Sequence, residues 1–187
     1  MRISPLPWPK DSALVFKKSM FYTLLDFPRG QIFLAKSEKG LSFASFIKNQ
    51  NRFKEIARFF KKKSIPLELD RNKLRLEERL FQHYFDGKKE DFSALSIDFI
   101  TGTPYQRKVW LETRRISFGK TKTYKSLAER LNHKGYRSIG QALSRNPTAI
   151  VIPCHRVLSS DGSLGGFSAG LELKEYLLHL EGVSVLS

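Results

Sequence analysis

Short apolar runs, Phe21 to Phe27, Ile32 to Ala35 and Leu41 to Phe46, are punctuated by Pro28, Gly30 and Gly40. That pattern predicts strands joined by hairpins. Helical spacing follows. Phe53, Ala57 and Phe60 fall on one face of a first helix, and Leu76, Leu80, Phe81 and Tyr84 on one face of a second that Gly87 stops. Lys88 to Thr103, with its charges, serines and glycine, reads as a boundary, dividing the chain into domains at 1–95 and 96–187.

The second half opens on a start signal: Thr103 as N-cap, Pro104 at the first helical position and Gln106 three residues after the cap. A helix to about Ile116 is predicted, burying Val109, Trp110 and Thr113. Thr123 caps another, Tyr124 to Leu131, with Leu127, Ala128 and Leu131 inward. After a turn at Asn132 to Gly135, Tyr136 to Ser144 forms a third, with Ile139 and Leu143 apolar. Two short helices around a glycine-containing turn have the form of a helix-turn-helix, although many helical hairpins of this shape bind nothing. Thr148 to Ile152, apolar and β-branched, predicts a buried strand that Pro153 stops. A last helix runs from about Leu171 to Leu180 and Gly182 ends it. The fold class is mixed α/β (α+β), strands and helices first and a mainly helical part second.

The 187 residues are 41% hydrophobic and 12% aromatic, enough for a substantial core and too rich in Phe for a disordered basic tail. Met1 to Lys10 is proline-rich without the apolar centre of a signal peptide. No apolar run approaches the roughly 20 residues that cross a bilayer. A soluble, cytoplasmic protein is expected, nuclear in a eukaryote, with no membrane partner.

Charge refines this. Thirty-three Lys and Arg against eighteen Asp and Glu give a net +15, which favours a polyanionic partner, nucleic acid first, over a surface that is basic only for solubility. Arg107 to Arg156 holds twelve basic residues against Glu112 and Glu129, a net of +10; residues 157–187 carry Lys174 alone against four acids. The basic block, interrupted by Tyr124 and Tyr136, is the credible footprint, and Lys61-Lys62-Lys63 reads as a solvated helix end.

Candidate chemistry converges at the end of that block. The single cysteine, Cys154, excludes an intrachain disulfide and a Cys-rich metal site. A lone cysteine is ordinarily a small buried hydrophobe. Here His155 follows as a possible base and Arg156 as a cation, and a nucleophilic thiol needs one or the other because little thiolate exists at neutral pH. Adjacent residues point apart on a strand, so the arrangement requires a break at Pro153 or a bridging water. His155 needs an orienting carboxylate; Glu181, four residues after Leu177 and eight after Leu173, falls on the core-facing side of the last helix, where the alternative is a frayed, solvated glutamate. Ser159 to Gly170 is a Gly/Ser-rich loop, either a ligand-facing segment or an ordinary connection.

Pro153-Cys154-His155-Arg156-Val157, preceded by Asn146-Pro147 and followed by a Gly/Ser loop and a helix ending Leu180-Glu181-Gly182, resembles the O6-alkylguanine-DNA alkyltransferases over about Thr103 to Gly182. The resemblance implies a ribonuclease H-like N-terminal domain and a direct repair reaction. In it Cys154 irreversibly takes the alkyl group from O6 of a flipped-out guanine, possible activity on O4-alkylthymine included, once per molecule. By the same resemblance His155, Glu181 and a water draw the thiol proton, Asn146 holds the hydrogen-bond geometry and Tyr124 donates to the departing base. The carbonyls of Cys154 and Val157 face the exocyclic amine and the Ser168 amide faces O6. Leu143 and Phe167 line the pocket, Phe167 standing where many relatives have tyrosine. Arg137 fills the vacated stack, Tyr124 turns the phosphate, and Tyr136, Arg145 and Lys125 complete the DNA-binding set. The partner implied is duplex DNA, bound through the minor groove by a monomer. No cofactor and no metal are implied, because relatives that bind zinc do so through N-terminal cysteines that this chain lacks. Three rivals stand beside it: an alkyltransferase-like lesion sensor, which would lack the cysteine; a helix-turn-helix regulator, which would not need it; and a cysteine hydrolase, for which no separate His and Asn suggest a triad.

Overall fold

The computed structural model describes residues 19–133 and 135–184. Met1 to Lys10, read above for a signal peptide, and Lys134 of the predicted turn lie outside them. β1 (Met20–Phe27), β2 (Gly30–Ser37) and β3 (Gly40–Ile47) form an antiparallel meander, and β4 (Leu67–Leu69) adds in parallel beside β1, giving the order β3-β2-β1-β4. Both hairpins are two-residue turns at the predicted glycines. Gly40 is obligatory: it sits at φ +144°, and a Cβ there would overlap the Ser96 backbone.

The sheet is covered on both faces. Tyr22, Phe33 and Ala35 meet Phe53, Ile56 and Phe60 of α1 (Gln50–Lys62). On the other face Leu25, Phe27, Ile32 and Leu34 meet α2 (Arg75–Phe85) together with Ile150, Val151 and Leu177 from the second half, so one core runs through both halves. Two apolar positions differ from expectation. In α1 the buried face is completed by Ile56, with Ala57 only half-buried, and in α2 Leu76 is 40% exposed while Phe85 is buried. Phe85 stacks on Phe27, which rotates the buried stripe of α2 away from Leu76. Lys61 and Lys62 end α1 in solvent, as expected.

In the second half α3 (Pro104–Arg114) opens with the Thr103–Gln106 capping box, and α4 (Tyr124–Arg130) is capped by Thr123. The cap side chains satisfy amides that helix ends leave unpaired. β5 (Lys122–Thr123) precedes α4, and α5 (Tyr136–Ser144) follows the turn. Trp110 of α3, fully buried, donates from Nε1 to the Ala142 carbonyl of α5 at 2.8 Å and fixes the helical unit.

Thr148–Ile152, buried apart from half-buried Ala149, is not a strand. Ala44 and Thr148 make an isolated bridge, Ile150 lies at φ +72°, and Ile152 N–H closes back on the Thr148 carbonyl at 2.9 Å. A left-handed conformation at a β-branched residue costs about 1–2 kcal/mol, offset here by complete burial of the Ile150 side chain. The chain then enters a 3₁₀ turn at Cys154–Arg156, β6 (Val157–Leu158) pairs with β5, and α6 (Leu171–Leu180) ends at Gly182. Among the described residues no helix is long and apolar enough to cross a membrane.

Candidate active site

Because the cysteine segment is a 3₁₀ turn, Cys154, His155 and Arg156 do not alternate as strand residues would. All three are buried; Cys154 meets Asn146, while His155 and Arg156 both meet Glu181. Asn146, just past α5, organises the turn: its side chain accepts from Thr148 N–H at 3.0 Å and donates from Nδ2 to the Ile152 carbonyl at 2.8 Å and to Cys154 Sγ at 3.2 Å.

Behind the cysteine lies a dense polar cluster. Glu181, the C-cap of α6, is 5% exposed. Its Oε1 accepts from Tyr84 Oη at 2.7 Å and Arg156 Nη2 at 2.9 Å and lies 2.7 Å from His155 Nε2; its Oε2 accepts from Arg156 Nε at 2.8 Å and Gly119 N–H at 3.1 Å. Burial alone would raise this carboxyl, but the hydrogen bonds from His155 and Arg156 and the Arg156 charge outweigh it and hold it down at about 2. Burial conversely lowers His155, against the pull of Glu181. An ionised Glu181 facing a neutral imidazole requires the proton on Nε2, which leaves Nδ1 as a bare acceptor. Nδ1 is buried and has no hydrogen-bond partner among the described residues.

In front of the cysteine is a cavity of about 440 Å³, walled by Tyr124, Leu143, Phe167 and Ser168, with Cys154 among its lining residues. Tyr124 Oη donates to the Gly166 carbonyl at 3.2 Å. Burial, then the neighbouring Cys154, raises its pKa, so the phenol keeps its proton. Gly165, at φ +62°, makes this close approach possible, since a Cβ there would come within 3.0 Å of the Tyr124 ring. Burial also raises the Cys154 thiol, opposed by the Asn146 donor and the charge of Lys174. A second cavity of about 530 Å³ reaches Cys154 from the β3 side, lined by Asn146 and Arg145 among others. Ala169 also borders it, with no positive φ at that position.

The residues of the basic block divide. Lys125, Tyr136, Arg137 and Arg145 stand exposed on α4 and on or just past α5. Arg114 turns inward, donating to the carbonyls of Phe92, Ser93 and Leu95, and Arg156 is consumed by Glu181 and the Ile116 carbonyl. The reading of Arg156 as a cation for the thiol is therefore corrected: its guanidinium faces the carboxylate, a better partner in fixed fork geometry.

Residues 104–183 match the family described as 6-O-methylguanine DNA methyltransferase, DNA binding domain, and residues 20–99 match the same family's ribonuclease-like domain. The chain belongs to the 6-O-methylguanine DNA methyltransferase family. The methylated-DNA–protein-cysteine methyltransferase of Methanosarcina barkeri is 40% identical over 165 residues, covering 87% of this chain and 97% of the relative. That of Haemophilus influenzae is 34% identical over 166 residues, 88% of each chain. A crystal structure of Mycobacterium tuberculosis OGT in complex with DNA superposes with a TM-score of 0.71 at 26% identity, covering 87% of this chain and 92% of that one.

Three residues of the methyltransferase site escape a reading of the sequence. Tyr84 comes from α2, about 70 residues before the cysteine, on a face that looks merely apolar. Gly119 contributes only a backbone amide. Lys174 is fully buried and donates to the Val157 carbonyl, one of the two carbonyls assigned by resemblance to the substrate amine. A lone cation at helical spacing from Leu177, Leu178 and Glu181 is the signal that could have revealed it.

Proposed function

We propose that the chain reverses alkylation of guanine in DNA by moving the alkyl group from O6 onto Cys154, once per molecule. The observation that carries this reading is the placement of Cys154 on the cavity wall, its Sγ 3.2 Å from Asn146 Nδ2, with the His155–Glu181 pair packed behind the same turn. Burial keeps the thiol protonated until a base takes its proton, and neutral His155, with its bare Nδ1, is that base, acting through one water. The imidazolium formed is then stabilised by ionised Glu181. The thiolate lone pair attacks the alkyl carbon in line, the C–O6 bond breaks with its electrons passing to the guanine, and Tyr124 hydrogen-bonds the departing base while keeping its own proton. The product is a thioether, a poor leaving group, and no second thiol resolves it.

The base lies inside the duplex, so it is flipped out at a cost of a few kcal/mol. Arg137 in the first turn of α5 fills the gap, and Lys125, Tyr136 and Arg145 hold the backbone from the exposed side of the helical unit. The degenerate code of the minor groove suits a repair protein that must accept any flanking sequence. A monomer suffices, acting wherever the DNA is, in the cytoplasm of a prokaryote or a nucleus. The division at about residue 95 leaves DNA contact and alkyl transfer to 96–187, with 1–95 as support.

The test is intact mass after incubation with a duplex carrying one O6-methylguanine. A stoichiometric gain of one CH₂ on Cys154, absent in Cys154→Ala, is expected; sustained turnover, or tight binding with no mass gain, contradicts the proposal. DNA affinity is expected to fall steeply with salt through counterion release. Arg137→Ala is expected to slow transfer more than it weakens binding in a fluorescence titration; equal losses would remove the stack-filling role.

A further inference from the structure

Lys174 stands on the buried face of α6, fully enclosed, three residues before Leu177 and seven before Glu181. Its ammonium has no carboxylate partner among the described residues. It donates to the Val157 carbonyl at 2.6 Å and to the Leu164 carbonyl, and lies 5.9 Å from the centre of the Tyr124 ring. Enclosing an ammonium against neutral acceptors alone is unfavourable, and a methionine would fill the same helical position without that penalty. Burial lowers Lys174 from 10.5 to about 8, opposed by Cys154, so it remains charged at neutral pH.

Its two carbonyl partners explain the placement. Val157 directly follows the turn that carries Cys154, and Leu164 belongs to the loop that supplies Gly166, Phe167 and Ser168 to the cavity wall. Three titratable groups act on or adjoin Cys154: His155, Tyr124 and Lys174. His155 is held neutral by burial and Tyr124 stays a phenol, while Arg156 faces Glu181 behind His155. Lys174 is thus the positive charge of this set.

We propose that Lys174 is a positioning residue for alkyl transfer: its two hydrogen bonds clamp the cavity-wall loop to the cysteine turn, and its ammonium stabilises the Cys154 thiolate. This rests on the repair reading, but one arm of its test does not. The rate of Cys154 alkylation by iodoacetamide, followed against pH, reports the thiolate without DNA. Lys174→Met is expected to move the midpoint upward by about one unit, lowering the rate at neutral pH about tenfold, and to slow single-turnover transfer from the O6-methylguanine duplex by at least as much. Circular dichroism establishes folding; if Met is not accommodated, Lys174→Gln keeps a donor in similar volume without the charge, and the same upward shift is expected. A folded variant with the wild-type midpoint overturns the proposal, because a purely structural lysine would leave the thiol's titration unmoved. If wild-type protein fails to demethylate the duplex, the repair reading falls instead, and the iodoacetamide midpoint still decides the role of Lys174.

Discussion

Glu181→Gln is expected to destabilise the protein by about 3–5 kcal/mol and to slow alkyl transfer by about a hundredfold or more. The first figure follows from what is left behind. Arg156 is 5% exposed, and two of its nitrogens are satisfied only by the Glu181 carboxylate. Removing one partner of a buried ion pair strands the other charge out of water, which costs more than the pair itself contributes. The second figure follows from the imidazole. Glutamine keeps an oxygen toward His155 Nε2 but carries no charge, so the imidazolium loses its counter-charge, and the new N–H₂ opposes the Arg156 Nε and Gly119 N–H donors. General-base catalysis is worth about 10²–10⁴. Urea denaturation at neutral pH reads the first effect and single-turnover transfer the second. A variant within about 1 kcal/mol and threefold of wild type would mean that Tyr84, Gly119 and Arg156 hold the cluster without the charge.

What was legible in the sequence was local chemistry. Caps, hairpin glycines and helix stops act within a few residues, so Thr103, Thr123, Gly40 and Gly182 do in the fold what their surroundings imply. Pro-Cys-His-Arg with Asn146 and Glu181 was legible for a different reason, its resemblance to the alkyltransferases; residue chemistry alone left Cys154 open as a small buried hydrophobe and Glu181 as a solvated glutamate. The missed features depend on the whole fold. A β-branched run looks like a strand because periodicity is blind to φ, and only the structure places Ile150 in the left-handed region, where the chain turns and frees the cysteine from strand alternation. Tyr84 reads as one more aromatic on an apolar helix until packing across the two halves brings its hydroxyl to Glu181. Likewise Arg156 and Arg114 add to the net charge of the basic block while their guanidiniums are turned to acceptors within the protein.

That same buried cluster makes stability depend on pH in a defined direction, and acidification is expected to remove stability in two overlapping stages. Burial lowers the His155 pKa from its ordinary 6.5, so below that value the unfolded chain takes up a proton that the folded one refuses. With more protons bound in the unfolded state, stability falls as pH falls. Glu181 acts lower: held at about 2 against an ordinary 4.5, it contributes stability fully present above pH 4.5 and lost as pH drops toward about 2. A gap of that size is worth about 3 kcal/mol, a sizeable share of the roughly 5–15 kcal/mol that holds a domain together. Urea midpoints at about pH 7, 5 and 3 in wild type and Glu181→Gln separate the stages. The glutamine cannot titrate, so its midpoint is expected to start lower at neutral pH, to keep the decline that begins near His155, and to lose the further step below pH 4.5. Parallel acid profiles in the two proteins would show that other carboxylates carry the acid sensitivity, and that Glu181 enters the folded state no more strongly ionised than it leaves the unfolded one.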